Sequence, residues 1–129
     1  MERFSALCYV AIASFDSTIS LWKIITEEDM ETNKVSSKLE YWQTLEGHES
    51  EVKGISWSRN GQYLATCARD KNVWIWELFD EVEFDCAAIN SGHMQDVKDV
   101  AFAVNNNNVL ASCSYRMFGM EKNSVFSVE

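Results

Sequence analysis

The segment GHESEVKGISW (residues 47–57) returns forty-five residues later as GHMQDVKDVAF (92–102). LATCAR (64–69) returns as LASCSY (110–115), with one residue inserted between the two motifs. A third copy lies upstream: YVAIASFDSTISLW (9–22) aligns with YLATCARDKNVWIW (63–76), and in both an Asp precedes a Trp by six, Asp16 to Trp22 and Asp70 to Trp76. A chain that repeats at this interval is built from copies of one small unit. Such a unit cannot bury its apolar face alone and must stack on its neighbours.

Each unit reads as strands. VKGISWS and NVWIWEL alternate apolar and polar residues at period two. Between Ser58 and Tyr63, the Asn60-Gly61 pair favours a tight turn with positive φ, and RDKN (69–72) forms the next turn. There is no proline, so turns depend on Asn, Gly and Asp. Strands are predicted near 9–14, 18–24, 39–45, 52–58, 63–68, 72–78, 84–90, 97–103 and 109–114. EEDMETNKVSS (27–37) has no apolar period, so 25–38 reads as a solvated loop.

A period near forty-five, four short strands per unit, a Gly-His opening and a Trp late in the third strand resemble the WD-repeat family. The resemblance covers roughly residues 9–115 and is strongest in the central copy. It implies an all-β fold, a partial WD-repeat β-propeller of about two and a half four-stranded antiparallel blades out of an expected seven. The blades divide the chain into three: 1–45, a partial blade of strands b, c and d; 46–91, a complete blade; and 92–129, a partial blade whose tail, 116–129, leaves the pattern. The chain of 129 residues does not close a seven-bladed ring, and its start and tail suggest a truncated or misassembled reading frame. Open sheet faces of that kind forgo several kcal/mol of burial at about 25 cal/mol per Å², so the chain alone is expected to be marginal and sticky.

The resemblance also implies a buried hydrogen-bond relay joining the Gly-His histidine, a strand hydroxyl, the turn aspartate and the tryptophan: His48, Asp70 and Trp76 in the central copy. The hydroxyl is expected two residues before the Asp. That position is Ala68, with Ser14 and Ser114 in the flanking copies; Thr66, on the same face, is the substitute. Ser14, Asp16 and Trp22 are the corresponding members of the first copy. In the third copy Arg116 stands where the Asp would be, and no Trp follows. A histidine, an aspartate and a hydroxyl are also the residue types of a hydrolase triad, but a set that recurs with each unit and lacks an evident oxyanion hole favours architecture.

The wording is narrower than the generic repeat. LEGHESEVKGISWSRNGQYLATCARDKNVWIWEL, the later QDVK and the acidic connector FDEVEFDC resemble the WD-repeat subunit of the cytosolic iron–sulfur protein assembly machinery. That resemblance implies a non-catalytic scaffold without a cofactor, cytoplasmic and also nuclear. Its partners would be targeting-complex subunits and iron–sulfur apoproteins. The alternatives are another WD adaptor, such as a substrate-recognition subunit of a ubiquitin ligase, or a non-functional truncated fragment. The residue before each turn aspartate is expected on one exposed rim, which names Phe15, Arg69 and, by alignment, Tyr115 as candidate protein-binding residues. An Arg flanked by aromatics has interface composition. Trp74 stands at a strand position commonly polar in such blades and is read either as inter-blade packing or as contact surface.

Charge and cysteines narrow the partners. A net charge of −9 argues against nucleic acid and anionic membrane, which need a basic footprint. No apolar run is long enough to span a bilayer, and the first residues lack the basic start and small-residue cleavage site of a signal peptide. Cys8, Cys67, Cys86 and Cys113 form no CxxC pair and are expected to be reduced, mostly buried thiols that bind neither cluster nor zinc. Cys67 and Cys113 occupy equivalent strand positions, read as a repeated small apolar residue rather than a shared metal site.

Overall fold

A computed structural model describes residues 3–115 and 121–127, with side chains for 8–115. The described residues form ten strands and no helix: β1 (Arg3–Ala13), β2 (Ile19–Asp29), β3 (Lys34–Leu45), β4 (Val52–Trp57), β5 (Tyr63–Ala68), β6 (Val73–Phe79), β7 (Glu83–Asn90), β8 (Val97–Ala103), β9 (Asn106–Tyr115) and β10 (Glu121–Ser127). They build three antiparallel sheets, ordered β1-β2-β3, β4-β5-β6-β7 and β10-β9-β8. The described residues are all-β and form three neighbouring sheets, the four-stranded one in the centre, consistent with a partial propeller.

Period-two alternation gives the central blade two apolar faces. Leu64 of β5 and Trp76 and Leu78 of β6 join Ile19, Leu21 and Leu45 of the first blade in one cluster. Ala65, Cys67, Val73 and Ile75, one residue out of phase, point the other way and meet Val97, Val100, Phe102 and Leu110 of the third. A one-residue slip would exchange these faces, so the register is fixed by burial on both sides.

The turns repeat as well as the strands. Asp16 Oδ1 accepts the Thr18 amide and Asp70 Oδ1 the Asn72 amide, both at 3.0 Å. Ser17 and Lys71, each following its Asp, share φ 73°. The aspartate's first task in both blades is therefore local: it closes an Asx turn that holds a non-glycine residue in the left-handed region. Gly61, at φ 74°, supplies the positive φ expected of the Asn-Gly turn.

Three expectations need correction. Residues 25–38 are not a loop: β2 and β3 run as a long hairpin to a turn at residues 30–33, with Asp29 opposite Lys34 and Glu28 opposite Val35. Its backbone ladder is shared with β1 on the other side of β2, so it needs no apolar period. Residues 121–127, read as part of an off-pattern tail, pair as β10 along β9 from Glu121 opposite Tyr115 to Ser127 opposite Val109. The cysteines are not mostly buried: Cys67 is buried, Cys113 partly so, and Cys8 and Cys86 are exposed.

Candidate interaction rim and the hydrogen-bond chain beneath it

The connector between β3 and β4 lays His48 across the β5–β6 end of the central blade. His48 Nδ1 lies 2.9 Å from Asp70 Oδ2, His48 Nε2 lies 2.8 Å from Thr66 Oγ1, and Trp76 Nε1 donates to Thr66 Oγ1 at 3.0 Å. The ends of this chain fix its direction. The indole N–H only donates and the carboxylate only accepts. Trp76 therefore donates to Thr66, Thr66 donates to His48 Nε2, and His48 Nδ1–H donates to Asp70. This arrangement requires a neutral imidazole, and loss of solvation holds the His48 pKa below its ordinary value against the opposing pull of Asp70. Asp70 Oδ2 also accepts the Glu49 amide at 2.9 Å, so one carboxylate ties the turn, the connector and the sheet together.

The bridging hydroxyl is Thr66, not the residue two before the aspartate. Leu64 is the Cα partner of Trp76, and Thr66 is its diagonal neighbour on the same face, within reach of a long indole. Ala68 lies two residues further along. In the third blade the equivalent of Thr66, Ser112, lies 2.7 Å from His93 Nε2, while Ser114 donates to the Asp96 carbonyl at 2.6 Å. Arg116 lies outside the described residues.

The first copy does not form the relay. Asp16 Oδ1 takes the Thr18 hydroxyl as well as its amide, Ser14 Oγ accepts the Asp16 amide, and Trp22 Nε1 donates to Ser20 Oγ at 3.1 Å. The bridging position there is Ile12, which carries no hydroxyl, and the chain's two histidines, His48 and His93, belong to the later copies.

Thr66, His48 and Asp70 have the connectivity of a hydrolase triad. The Thr66 side chain, however, is wholly buried between two rings, with its oxygen accepting from Trp76 and its proton committed to His48. A substrate carbonyl has no path to it. Above the relay, Trp74 stacks on Trp76 at 5.2 Å and lies 5.5 Å from His48, packed into the cluster between the first and second blades. A Cβ on Gly47 would overlap the Trp74 ring, so the Gly of this Gly-His is required by packing.

The three rim residues project from corresponding ends of their blades. Phe15 is 77% exposed, Tyr115 is 47% exposed, and the Arg69 side chain is 60% exposed. Arg69 Nη1 lies 3.4 Å from Glu51 Oε1, and its amide donates to the Glu51 carbonyl at 3.1 Å. Lys53 sits over the Phe15 ring at 5.3 Å and Lys98 over Tyr115 at 4.8 Å. These two lysines were missed in the sequence, although the signal was there: both stand in the repeated Val-Lys that follows Gly-His. The rim thus offers one guanidinium and two lysine-capped aromatics on a chain of net charge −9.

Burial pushes the Cys67 thiol up to about 12, which makes it a poor nucleophile and metal ligand. Among the described residues no group of three or more His, Cys, Asp or Glu could hold a metal ion. No helix among them is long and apolar enough to cross a membrane.

One four-stranded sheet tied by a Trp–Thr–His–Asp chain and stacked between two three-stranded sheets is the arrangement of a WD repeat, and residues 39–77 match the family model for the WD domain, G-beta repeat. Within that class the chain is homologous, over part of its length, to proteins named for cytosolic iron–sulfur assembly. It is 46% identical over 90 residues to the probable cytosolic iron-sulfur protein assembly protein 1 of Scheffersomyces stipitis, covering 66% of this chain and 24% of that protein. It is 54% identical over 69 residues to the protein of the same name from Candida glabrata, covering 53% of this chain and 20% of that one. A probable cytosolic Fe-S cluster assembly factor of Schizosaccharomyces japonicus is 48% identical over 71 residues, covering 55% of this chain and 10% of that protein. The matched stretch thus spans a quarter or less of these relatives.

Proposed function

We propose that the chain is a non-catalytic protein-interaction scaffold of cytosolic iron–sulfur protein assembly. In this reading it works in the cytosol, holds subunits of a targeting complex beside iron–sulfur apoproteins, and carries no cluster itself. An extension to nuclear apoproteins rests on the family resemblance alone. The observation that carries the reading is the rim: Arg69 exposed between Phe15 and Tyr115, above a rigid relay, on a chain homologous to proteins named for this assembly. Arg69 is the proposed anchor. Its backbone is held by Glu51 and by the Asp70 turn, so little entropy is lost when its fork-shaped donor meets a partner carboxylate.

The test is Arg69→Glu in a full-length homologue, with capture of a targeting-complex subunit measured beside a melting curve. Capture should weaken by about 2 kcal/mol or more with the melting temperature unchanged. Normal capture, or a loss explained by unfolding, removes Arg69 from the interface.

A further inference from the structure

An outer strand has one row of backbone N–H and C=O groups with no neighbouring strand to bond. The first and central sheets end in β3 and β7. Neighbouring sheets stack on each other's faces, so that stacking covers neither outer edge. On β7 the row is capped. Gln43 takes both backbone groups of Phe84: its Nε2 donates to the carbonyl at 2.7 Å, and its Oε1 accepts the amide at 2.8 Å. Trp42 Nε1 donates to the Val82 carbonyl at 2.8 Å, and Asp85 Oδ1 accepts the Cys86 amide at 2.9 Å. On β3 the caps stop short. Among the described residues no side chain bonds the backbone of residues 34–41, and every one of those positions is exposed.

The sequence of that edge is complementary to itself. Two copies of KVSSKLE (34–40) set antiparallel about a two-fold axis at Ser37 bring Lys34 opposite Glu40 of the second copy and Val35 opposite its Leu39. Ser36 then meets Lys38, and Ser37 meets Ser37. Opposite charges close both ends, apolar pairs lie inside them, and hydroxyls meet at the centre. Moving the axis to Ser36 sets Lys34 against Lys38, and moving it to Lys38 sets that lysine against itself.

We propose that β3 pairs with β3 of a second copy in the Ser37 register, joining two three-stranded sheets into one of six strands. The contact is isologous, so it closes as a dimer and does not extend. One strand edge buries little area, which places the contact in the weak class. β2 runs from the Asp16 turn to the turn at residues 30–33, so the paired segment sits at the far end of the blade from Phe15. The rim stays free in the dimer.

Disulfide capture in the 129-residue chain tests this, with Cys8, Cys86 and Cys113 changed to Ser so that the buried Cys67 alone remains. Residues directly opposed in an antiparallel pair lie about 4.5–5.5 Å apart at Cα, inside disulfide range. Under mild oxidation Ser37→Cys should link to its own copy at least about tenfold more than Leu39→Cys, whose copy lies four positions away in this register. Val35→Cys and Leu39→Cys should each fail alone and link when mixed. Lys34→Glu added to the Ser37→Cys chain sets like charges opposite Glu40 and should cut the yield, and Glu40→Lys on top of it should restore the yield. Equal linking of Ser37→Cys and Leu39→Cys, as random collision would give, overturns the proposal. So does a Ser37→Cys chain that stays unlinked, as an edge reserved for a different protein would, a mixture no better than its parts, or a double reversal without rescue.

Discussion

The Thr66 hydroxyl lies 2.8 Å from His48 Nε2 and is its donor, because the Thr66 oxygen already accepts the Trp76 indole N–H. One buried side chain is thus acceptor to β6 and donor to the connector entering the blade. Thr66→Val keeps the volume and removes both roles, leaving His48 Nε2 and the indole N–H without partners. It should destabilise the chain by about 2–3 kcal/mol in urea unfolding, whereas Thr66→Ser should cost about 1 kcal/mol or less. Equal costs for the two variants would mean that the hydroxyl is not the link.

The two turn aspartates should separate local from long-range roles. Asp16 is exposed and bonds within its own turn, its amide to Ser14 Oγ and its carboxylate to Thr18. Asp70 makes the same turn and also binds His48 and the Glu49 amide. Asp70→Ala should cost about 1–3 kcal/mol, and Asp16→Ala distinctly less. A larger loss at Asp16 would contradict the relay.

Much of this was legible in the sequence because burial on two faces leaves a strong period-two signal. The strand at 63–68 and the turn at Asn60-Gly61 sit where alternation and turn chemistry put them. The hairpin at 25–38 was not legible: its strands are held by the backbone ladder and carry Glu, Ser and Lys on exposed positions, which look like a loop to any hydrophobic pattern. The bridging hydroxyl was expected two residues before Asp70, with Thr66 only as the substitute, because spacing along one strand does not show the diagonal from Trp76 across to Thr66. The lysines over Phe15 and Tyr115 come from β4 and β8, and the Lys53 contact crosses between blades.

His48 gives the pH dependence. Its folded pKa lies below the unfolded value of about 6.5, so the unfolded chain binds the proton more tightly. The contribution is complete above about pH 6.5 and is lost as pH falls toward the folded pKa. Protonation places a second N–H against Thr66, whose own proton then loses its acceptor. Unfolding free energy should fall from pH 7 toward pH 5, and His48→Gln should flatten that fall. An unchanged slope in the variant would assign the acid sensitivity to other groups.

Thiol labelling should divide the cysteines by place rather than by number. Cys8 and Cys86 are exposed, while Cys67 is buried with its thiol pushed up to about 12. In the folded chain Cys8 and Cys86 should react first, with Cys67 reacting only on unfolding. The purified chain should also hold no stoichiometric zinc or iron. One equivalent of metal lost on Cys67→Ser would refute that and reopen a shared site with Cys113.

The two Gly-His glycines should respond differently to the same substitution. A Cβ at Gly47 would overlap the Trp74 ring, and that ring is stacked on Trp76 at 5.2 Å, so it cannot retreat without disturbing the relay. A Cβ at Gly92 meets only the Asn90 side-chain oxygen, at 3.2 Å, which the Gly92 amide holds at 3.0 Å, so a shift of a few tenths of an ångström at the end of one side chain accommodates it. Gly47→Ala should therefore cost about 1–3 kcal/mol through overpacking, and Gly92→Ala less than about 1 kcal/mol. The cause is checked by a double-mutant cycle. If the clash with Trp74 is the source, Gly47→Ala should cost little once Trp74→Ala has removed the ring, giving a coupling energy of about 1 kcal/mol or more. Additive costs would show that Gly47 is needed for its backbone alone, and the packing account of this Gly-His would be wrong.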